Sequence, residues 1–249
     1  MRGVLVATAF LTRVPVPIVA DAVDVGKAAR WFPLIGGGLG AASALIAWTM
    51  TEVMDFPAAL TATLVVGLAA WATGAIHLDG LADTVDGFGG GRDREAVLRI
   101  MRDPLIGSYG TTALVFVIGV KVTAVAALLD RDGALPLVVA APALSRWTIS
   151  ALGASLPYAR PEGGLGQAVT HERDAIGFIA ATTIAAVIAL GALGVDGLIA
   201  WAVAALTALW TARAAKRRIG GVTGDVFGAS VELAEASVLV CGVWLTGRP

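Results

Sequence analysis

Apolar residues in this chain come in long blocks, each close to the ~20 residues a helix needs to cross a bilayer, with polar segments between them. Seven blocks can be drawn: Leu34 to Met50, Pro57 to Ile76, Thr111 to Leu129, Ala134 to Leu156, Ala175 to Leu193, Gly197 to Ala212 and Val231 to Leu245. They predict an all-α fold, a polytopic membrane bundle of about seven transmembrane helices forming a single membrane-embedded domain over residues 1–249. An earlier apolar run, between Arg2 and Arg13, is too short to span and is broken by Pro15 and Pro17. Without a convincing signal-peptide cleavage pattern, it is expected to be an interfacial anchor.

Composition agrees with a membrane setting. Of the 249 residues, 57% are apolar and 15% charged, and the mean hydropathy is +0.81, whereas an ordinary soluble domain is about one quarter charged. The formal net charge of −1 excludes a strongly basic nucleic-acid binder. The single Cys241 cannot form an internal disulfide and is expected to pack. With the first residues inside, the inner segments, which include Arg173, collect fourteen Lys and Arg against two outside, Arg131 and Arg248. The positive-inside rule then puts every long polar loop in the cytoplasm and the last residues outside.

One of those loops gathers most of the polar chemistry. From His77 it reads HLDGLADTVDGFGGGRDREAVLRIMRDPLIGSYG. Asp79, Asp83 and Asp86 are spaced so that a helix would put their carboxylates on one face. Such a patch, without Cys and with one nearby His, suits a hard oxygen-seeking cation such as magnesium and argues against zinc. Gly89, Gly90 and Gly91 would let backbone N–H groups approach an anion, and Arg92, Arg94, Arg99 and Arg102 offer forks for phosphate oxygens. Together they predict a diphosphate site. His77 is a candidate base there, or else a helix-end or aspartate partner.

Three further places are polar. Leu156 to Asp174 contains Arg160, Glu162, Gly163, Gly164, Gly166 and His171, which could hold a second phosphate or simply link two helices. The segment GGVTGD supplies Gly221, Gly224 and Asp225, and Asp225 either completes the site or caps the last helix. Lys121, Arg146, Glu232 and Glu235 fall within spans; such groups face the bundle interior and are either functional or paired with one another.

HLDGLADTVDG with the glycine and arginine run after it, IMRDPLIGSYG, and KRRIGGVTGDVFGASVELAE resemble the cobalamin synthase family, the adenosylcobinamide-GDP ribazoletransferases. FLTRVPVP and WFPLIGGGLG match the opening of that family, so the likeness covers nearly the whole chain. It implies an inner-membrane, magnesium-requiring enzyme of the last stage of cobalamin assembly. Such an enzyme joins α-ribazole or its 5′-phosphate to adenosylcobinamide-GDP and releases GMP. The acidic positions carried over are Asp79, Asp83, Asp86 and Asp225. One departure is Pro104 after Asp103, where a small polar residue is expected, which affects the local loop shape. The expected partners are these substrates and the lipid bilayer, with no nucleic acid; self-association or association with other cobalamin-assembly enzymes is left open.

On this combined basis Asp79, Asp83 and Asp86 would hold magnesium on the diphosphate, and the four arginines would neutralise its remaining oxygens. His77, Gly89, Gly90, Gly91, Gly221 and Gly224 would line the substrate, and Asp86 or Asp225 would take the acceptor's proton. Two alternatives compete. A CDP-alcohol phosphotransferase shares aspartates at inner helix ends, but its pattern fails where Gly87 is followed by Phe88. An ion-coupled transporter would account for Lys121, Arg146 and the glutamates.

Overall fold

The structure, a computed structural model, describes residues 2–18, 21–131, 133–164, 166–171 and 174–248. Arg173 and the side chain of His171, both named above, lie outside that description. The described residues are almost entirely helical: α1 (Arg2–Leu11), α2 (Ala22–Ala28), α3 (Phe32–Trp48), α4 (Ala58–Ala72), α5 (Ile76–Gly90), α6 (Arg94–Ile100), α7 (Ser108–Leu129), α8 (Leu135–Ser155), α9 (Gln167–His171), α10 (Ala175–Leu193), α11 (Asp196–Ile219) and α12 (Gly224–Thr246). A 3-10 turn joins α2 to α3, and a π turn follows α3 at Thr49–Val53.

Among the described residues six helical segments are long and apolar enough to cross a membrane: Asp24–Val53, which contains α3, and then α7, α8, α10, α11 and α12. A seventh crossing is reached when α4 and α5, which meet length and hydropathy only together and are bent by 89°, are counted as one broken span; α4 alone, with 15 residues, extends about 22 Å at 1.5 Å per residue. All seven expected spans are therefore helices, with shifted ends. The second block stops at Ala72 rather than Ile76, because Gly74 and Ala75 adopt left-handed backbone conformations (φ +65° and +57°) and turn the chain by 89° into α5. The sixth helix continues past Ala212 to Ile219, carrying Lys216, Arg217 and Arg218 beyond the apolar block, and stops where Gly220 takes φ +77°. The seventh begins at Gly224 rather than Val231, with Thr223 as its N-cap accepting from the Val226 N–H.

α8 and α12 form the buried centre of the bundle. Gly36 and Gly40 let α3 lie almost backbone to backbone against α8, next to the carbonyls of Pro142 and Val138, the small-residue contact favoured between helices in lipid. By contrast, α10 buries a narrow stripe of Ala181, Ala185 and Ala189 and turns Ile176, Ile179 and Val187 outward. An apolar surface of that kind is a liability in water and ordinary against lipid. Ahead of the spans, α1 packs Val6, Ala7 and Leu11 into the core at one end of the bundle, and Phe10 stacks on Phe32 with centroids 5.5 Å apart. Short of a span and fixed near the chain's first bend by an Arg13 N–H to Ala72 carbonyl bond of 2.7 Å, it fits the expected interfacial role.

The connections sort to two ends. At one, Arg131 donates to the Val243 carbonyl and Thr246 hydroxyl, and Arg248 lies 3.9 Å from Asp196. At the other, α5, α6, the segment after α8 and the turn before α12 come together. Arg94 donates to the carbonyls of Ile219 and Ala159, Arg218 to those of Phe88 and Gly91, and the segments 157–159 and Val222 exchange backbone hydrogen bonds. The polar motifs scattered along the sequence thus share one end of the bundle, as the seven-span reading requires.

Candidate active site

The site is built on a helix crossing. α5 passes α12 at Gly80 and Gly228 so closely that a Cβ on Gly80 would lie 2.7 Å from the Asp225 carbonyl oxygen and 3.1 Å from the Gly228 Cα. A Cβ on Gly228 would come 3.0 Å from the His77 carbonyl oxygen. Only glycine allows this approach. It sets Asp79 and Asp83, one turn apart on α5, beside Asp225 in the first turn of α12.

The carboxylates feel one another. Burial first, and then the charges of Asp79 and Asp225, push the Asp83 carboxyl up to about 7, with Arg160 pulling it back. Asp225 accepts from an Arg160 guanidinium N–H at 2.7 Å and from the Thr223 hydroxyl at 3.2 Å. Since Thr223 already caps α12, the cap role considered for Asp225 is filled by its neighbour. Asp79 and Asp83 open onto a pocket of about 460 Å³ whose far wall includes Met101, Arg102, Pro104 and Ile106.

Other predicted residues are placed elsewhere. Asp86 shares the α5 helix but turns inward, where its two carboxylate oxygens accept the N–H groups of Gly107 (2.7 Å) and Gly110 (2.9 Å) and so fix the start of α7. Gly89, Gly90 and Gly91 end α5, and at about 1.5 Å per residue Gly90 lies roughly 16 Å along the axis from Asp79. Gly89 sits against the Tyr109 ring and Gly91 against the Val97 backbone, so the run serves close packing of α6 and α7 rather than the aspartate pocket. Arg94 is committed to two carbonyls, as described above. Arg92 and Arg99 are exposed on and before α6, outside the pocket lining. Of the four arginines Arg102 alone lines the pocket, and it pairs with Glu162 of the segment after α8. Gly221 packs on the Pro157 carbonyl, and a Cβ on Gly166 would lie 3.2 Å from Gly224, so this turn is held by the segment that carries Arg160.

His77 is buried on the opposite face of α5 from the pocket, its Nδ1 without a partner, and the charges nearest it are those of Arg146, Glu235 and Lys121. Those residues form a buried network. Lys121 Nζ lies 3.0 Å from Glu232 and 2.7 Å from Glu235, and Arg146 completes it on Glu235. Two positive and two negative groups thus balance one another's charge inside the bundle, which removes the main support for an ion-coupled transporter. Two features of the site are not evident in the sequence: the Gly80–Gly228 contact and the commitment of Arg160 to Asp225. The available signal was a glycine within three residues of each aspartate.

Among the described residues no three acidic or histidine side chains converge into a ready-made metal cage. Magnesium does not require one, because it keeps waters and takes one or two carboxylates together with substrate phosphates. Asp79 and the repelled Asp83 fit that demand, and Arg102 on the opposite wall suits the phosphate.

Comparison with known proteins finds relatives along nearly the whole chain. Residues 3–243 match the family described as cobalamin-5-phosphate synthase. A Pseudomonas aeruginosa PAO1 protein named adenosylcobinamide-GDP ribazoletransferase is 40% identical over 96% of this chain and 97% of its own. Proteins of the same name from Sinorhizobium medicae and Chlorobium phaeobacteroides are each 38% identical, over 94% and 98% of this chain and 92% and 98% of theirs. No solved structure matches. With a two-carboxylate pocket under a glycine crossing and a family match from end to end, the chain belongs to the cobalamin-5-phosphate synthase family.

Proposed function

We propose that this chain is a magnesium-dependent transferase that uses adenosylcobinamide-GDP as donor and α-ribazole, or its 5′-phosphate, as acceptor, working at the cytoplasmic face of the inner membrane. The names of its relatives supply the substrates. The observation that carries the chemistry is that Asp79 and Asp83 line a 460 Å³ pocket together with Arg102, with Asp225 close enough on α12 for its charge to act on Asp83.

The reaction needs an acceptor oxygen aligned with the cobinamide-side phosphorus of the diphosphate. A new P–O bond forms there, the bond to the bridging oxygen breaks, and GMP leaves with that electron pair. Positioning and charge stabilisation supply most of the rate in such transfers. Asp79 and Asp83 would hold the magnesium ion, which when bound neutralises the diphosphate. Arg102 binds the remaining phosphate oxygens. Asp225, oriented by Arg160, receives the acceptor's proton. Asp86 has a positioning role: by holding Gly107 and Gly110 it fixes the junction that closes the Arg102 loop.

Purified protein in lipid, given both substrates and magnesium, should release GMP and form a cobalamin. Substrate flux across vesicles without GMP would contradict the proposal.

A further inference from the structure

The aspartate pocket holds one more polar side chain, to which the reaction above gives no task. Besides Asp79, Asp83 and Arg102 its lining includes Asp103, set among the apolar surfaces of Met101, Pro104 and Ile106. Asp103 follows Arg102 directly, on the loop between α6 and α7. Its Oδ1 accepts the Leu105 N–H at 3.0 Å, and Pro104 between them has a ring-fixed φ, so the carboxylate is held in one pose. Oδ2 takes no hydrogen bond or ion pair among the described residues. Neighbouring carboxylates outside the metal pair are committed: Asp86 to Gly107 and Gly110, Asp93 to the cap of α6, Asp225 to Arg160 and Glu162 to Arg102. Beside the open oxygen, Pro104 and Ile106 are exposed, Ile106 by 56%, and present bare hydrocarbon to the pocket.

An ionised carboxylate accepts hydrogen bonds and donates none, and hydrocarbon walls beside a few fixed polar groups suit a ring. Of the two aromatic bases that the reaction brings together, the benzimidazole of the acceptor has no N–H once it is joined to ribose. Guanine has two donors side by side, N1–H and the 2-amino group. Adenine would turn a lone pair toward the carboxylate where guanine turns N1–H. We propose that Asp103 selects guanine in the donor: N1–H and the 2-amino group donate to its carboxylate, and the ring lies against Pro104 and Ile106. Arg102 and Asp103, consecutive in the chain, then hold the phosphate end and the base end of one nucleotide unit. The assignment rests on the ribazole-transfer reading above and adds which residue reads the leaving nucleotide.

Exchanging the carboxylate for an amide tests it. In Asp103→Asn the side-chain carbonyl still accepts from N1–H, but its NH2 group meets the 2-position, where guanine carries a donor and xanthine a carbonyl. Nanodisc-embedded wild type and Asp103→Asn are compared with Glu95→Gln, an exposed carboxylate change on α6 outside the lining. Each is given adenosylcobinamide-GDP or its xanthosine counterpart, and kcat/KM for nucleotide release is measured. Wild type and Glu95→Gln should prefer the guanosine donor alike. Asp103→Asn should lose about 100-fold on that donor and gain about 10-fold on the xanthosine one. An unchanged preference in Asp103→Asn, or an equal loss on both donors, would overturn the assignment. Calorimetric titration of GMP and XMP needs no turnover and separates the two readings. Loss of GMP binding and gain of XMP binding by Asp103→Asn, in protein that transfers nothing, would support the base assignment and contradict the transfer reading alone; equal GMP affinity in all three proteins would refute the base assignment.

Discussion

Replacing Gly80 with alanine adds one methyl group at the point where α5 crosses α12. The new carbon would lie 2.7 Å from the Asp225 carbonyl oxygen, 3.0 Å from the Asp225 Cα and 3.1 Å from the Gly228 Cα. Comfortable contacts between carbons are about 3.5–4.0 Å, and every obstructing atom is backbone, so no side chain can swing aside. The helices must part by roughly 0.5–1 Å to restore ordinary contacts. Stability should change little, because about 1 kcal/mol gained in helix propensity offsets an overpacking cost of about 1–3 kcal/mol. Turnover should change far more: a shift of about 1 Å between reacting groups costs roughly 100-fold, and this shift separates Asp79 and Asp83 from Asp225. GMP release at saturating substrate, with thermal unfolding in the same detergent, measures both. Gly38→Ala is the control, since a Cβ there meets nothing within 4 Å. A Gly80→Ala protein within a few-fold of wild-type turnover would show that the crossing does not set the site.

Asp225→Asn should keep its melting temperature while turnover falls by about 100-fold or more, and Thr223→Ala, which removes the true cap, should lose about 0.5–2 kcal/mol of stability; the opposite pattern would return Asp225 to a structural role. Lys121→Met leaves Glu232 and Glu235 short of a buried counter-charge and should destabilise the bundle by about 3–5 kcal/mol, so an unchanged unfolding transition would show that the network is not held in this form. In a Cys241→Ser background, a cysteine at Gly90 should be labelled from the cytoplasmic side and one at Arg131 from the other, and labelling of both from one side would refute the topology.

The architecture was legible because a bilayer imposes a length on apolar blocks, and the chain respects it from Leu34 to Leu245. Helix ends were less so. Hydropathy stops at Ala212 and starts at Val231, but helices run on through polar residues when caps and hydrogen bonds to neighbouring carbonyls satisfy them, as Thr223 and Arg218 show. At the site, spacing correctly put Asp79 and Asp83 one turn apart on a helix. It could not show that Asp86, three residues further on, rotates toward Gly107 and Gly110, since that depends on where α7 begins in space. The glycine run and the arginines of α6 have the composition of a phosphate cradle, yet Gly89 and Gly91 admit neighbouring helices and Arg94 ties loops together. Close packing and anion binding both select glycine, and carbonyls compete with phosphates for guanidinium groups, so the two uses look alike until the neighbours are known. Lys121 and Glu235 are far apart in sequence, and only the packing of α7 on α12 reveals that they pair.

The central claim, that Asp79 and Asp83 form the reaction's metal-dependent centre, is tested most directly by GMP release from lipid-embedded protein as magnesium is titrated. Wild type should turn over only when magnesium is supplied and lose activity on chelation. Asp79→Ala and Asp83→Ala should each remain folded and membrane-inserted while turnover drops by about 100-fold or more. Undiminished turnover in chelator, or near wild-type activity when both aspartates are replaced, would contradict the account.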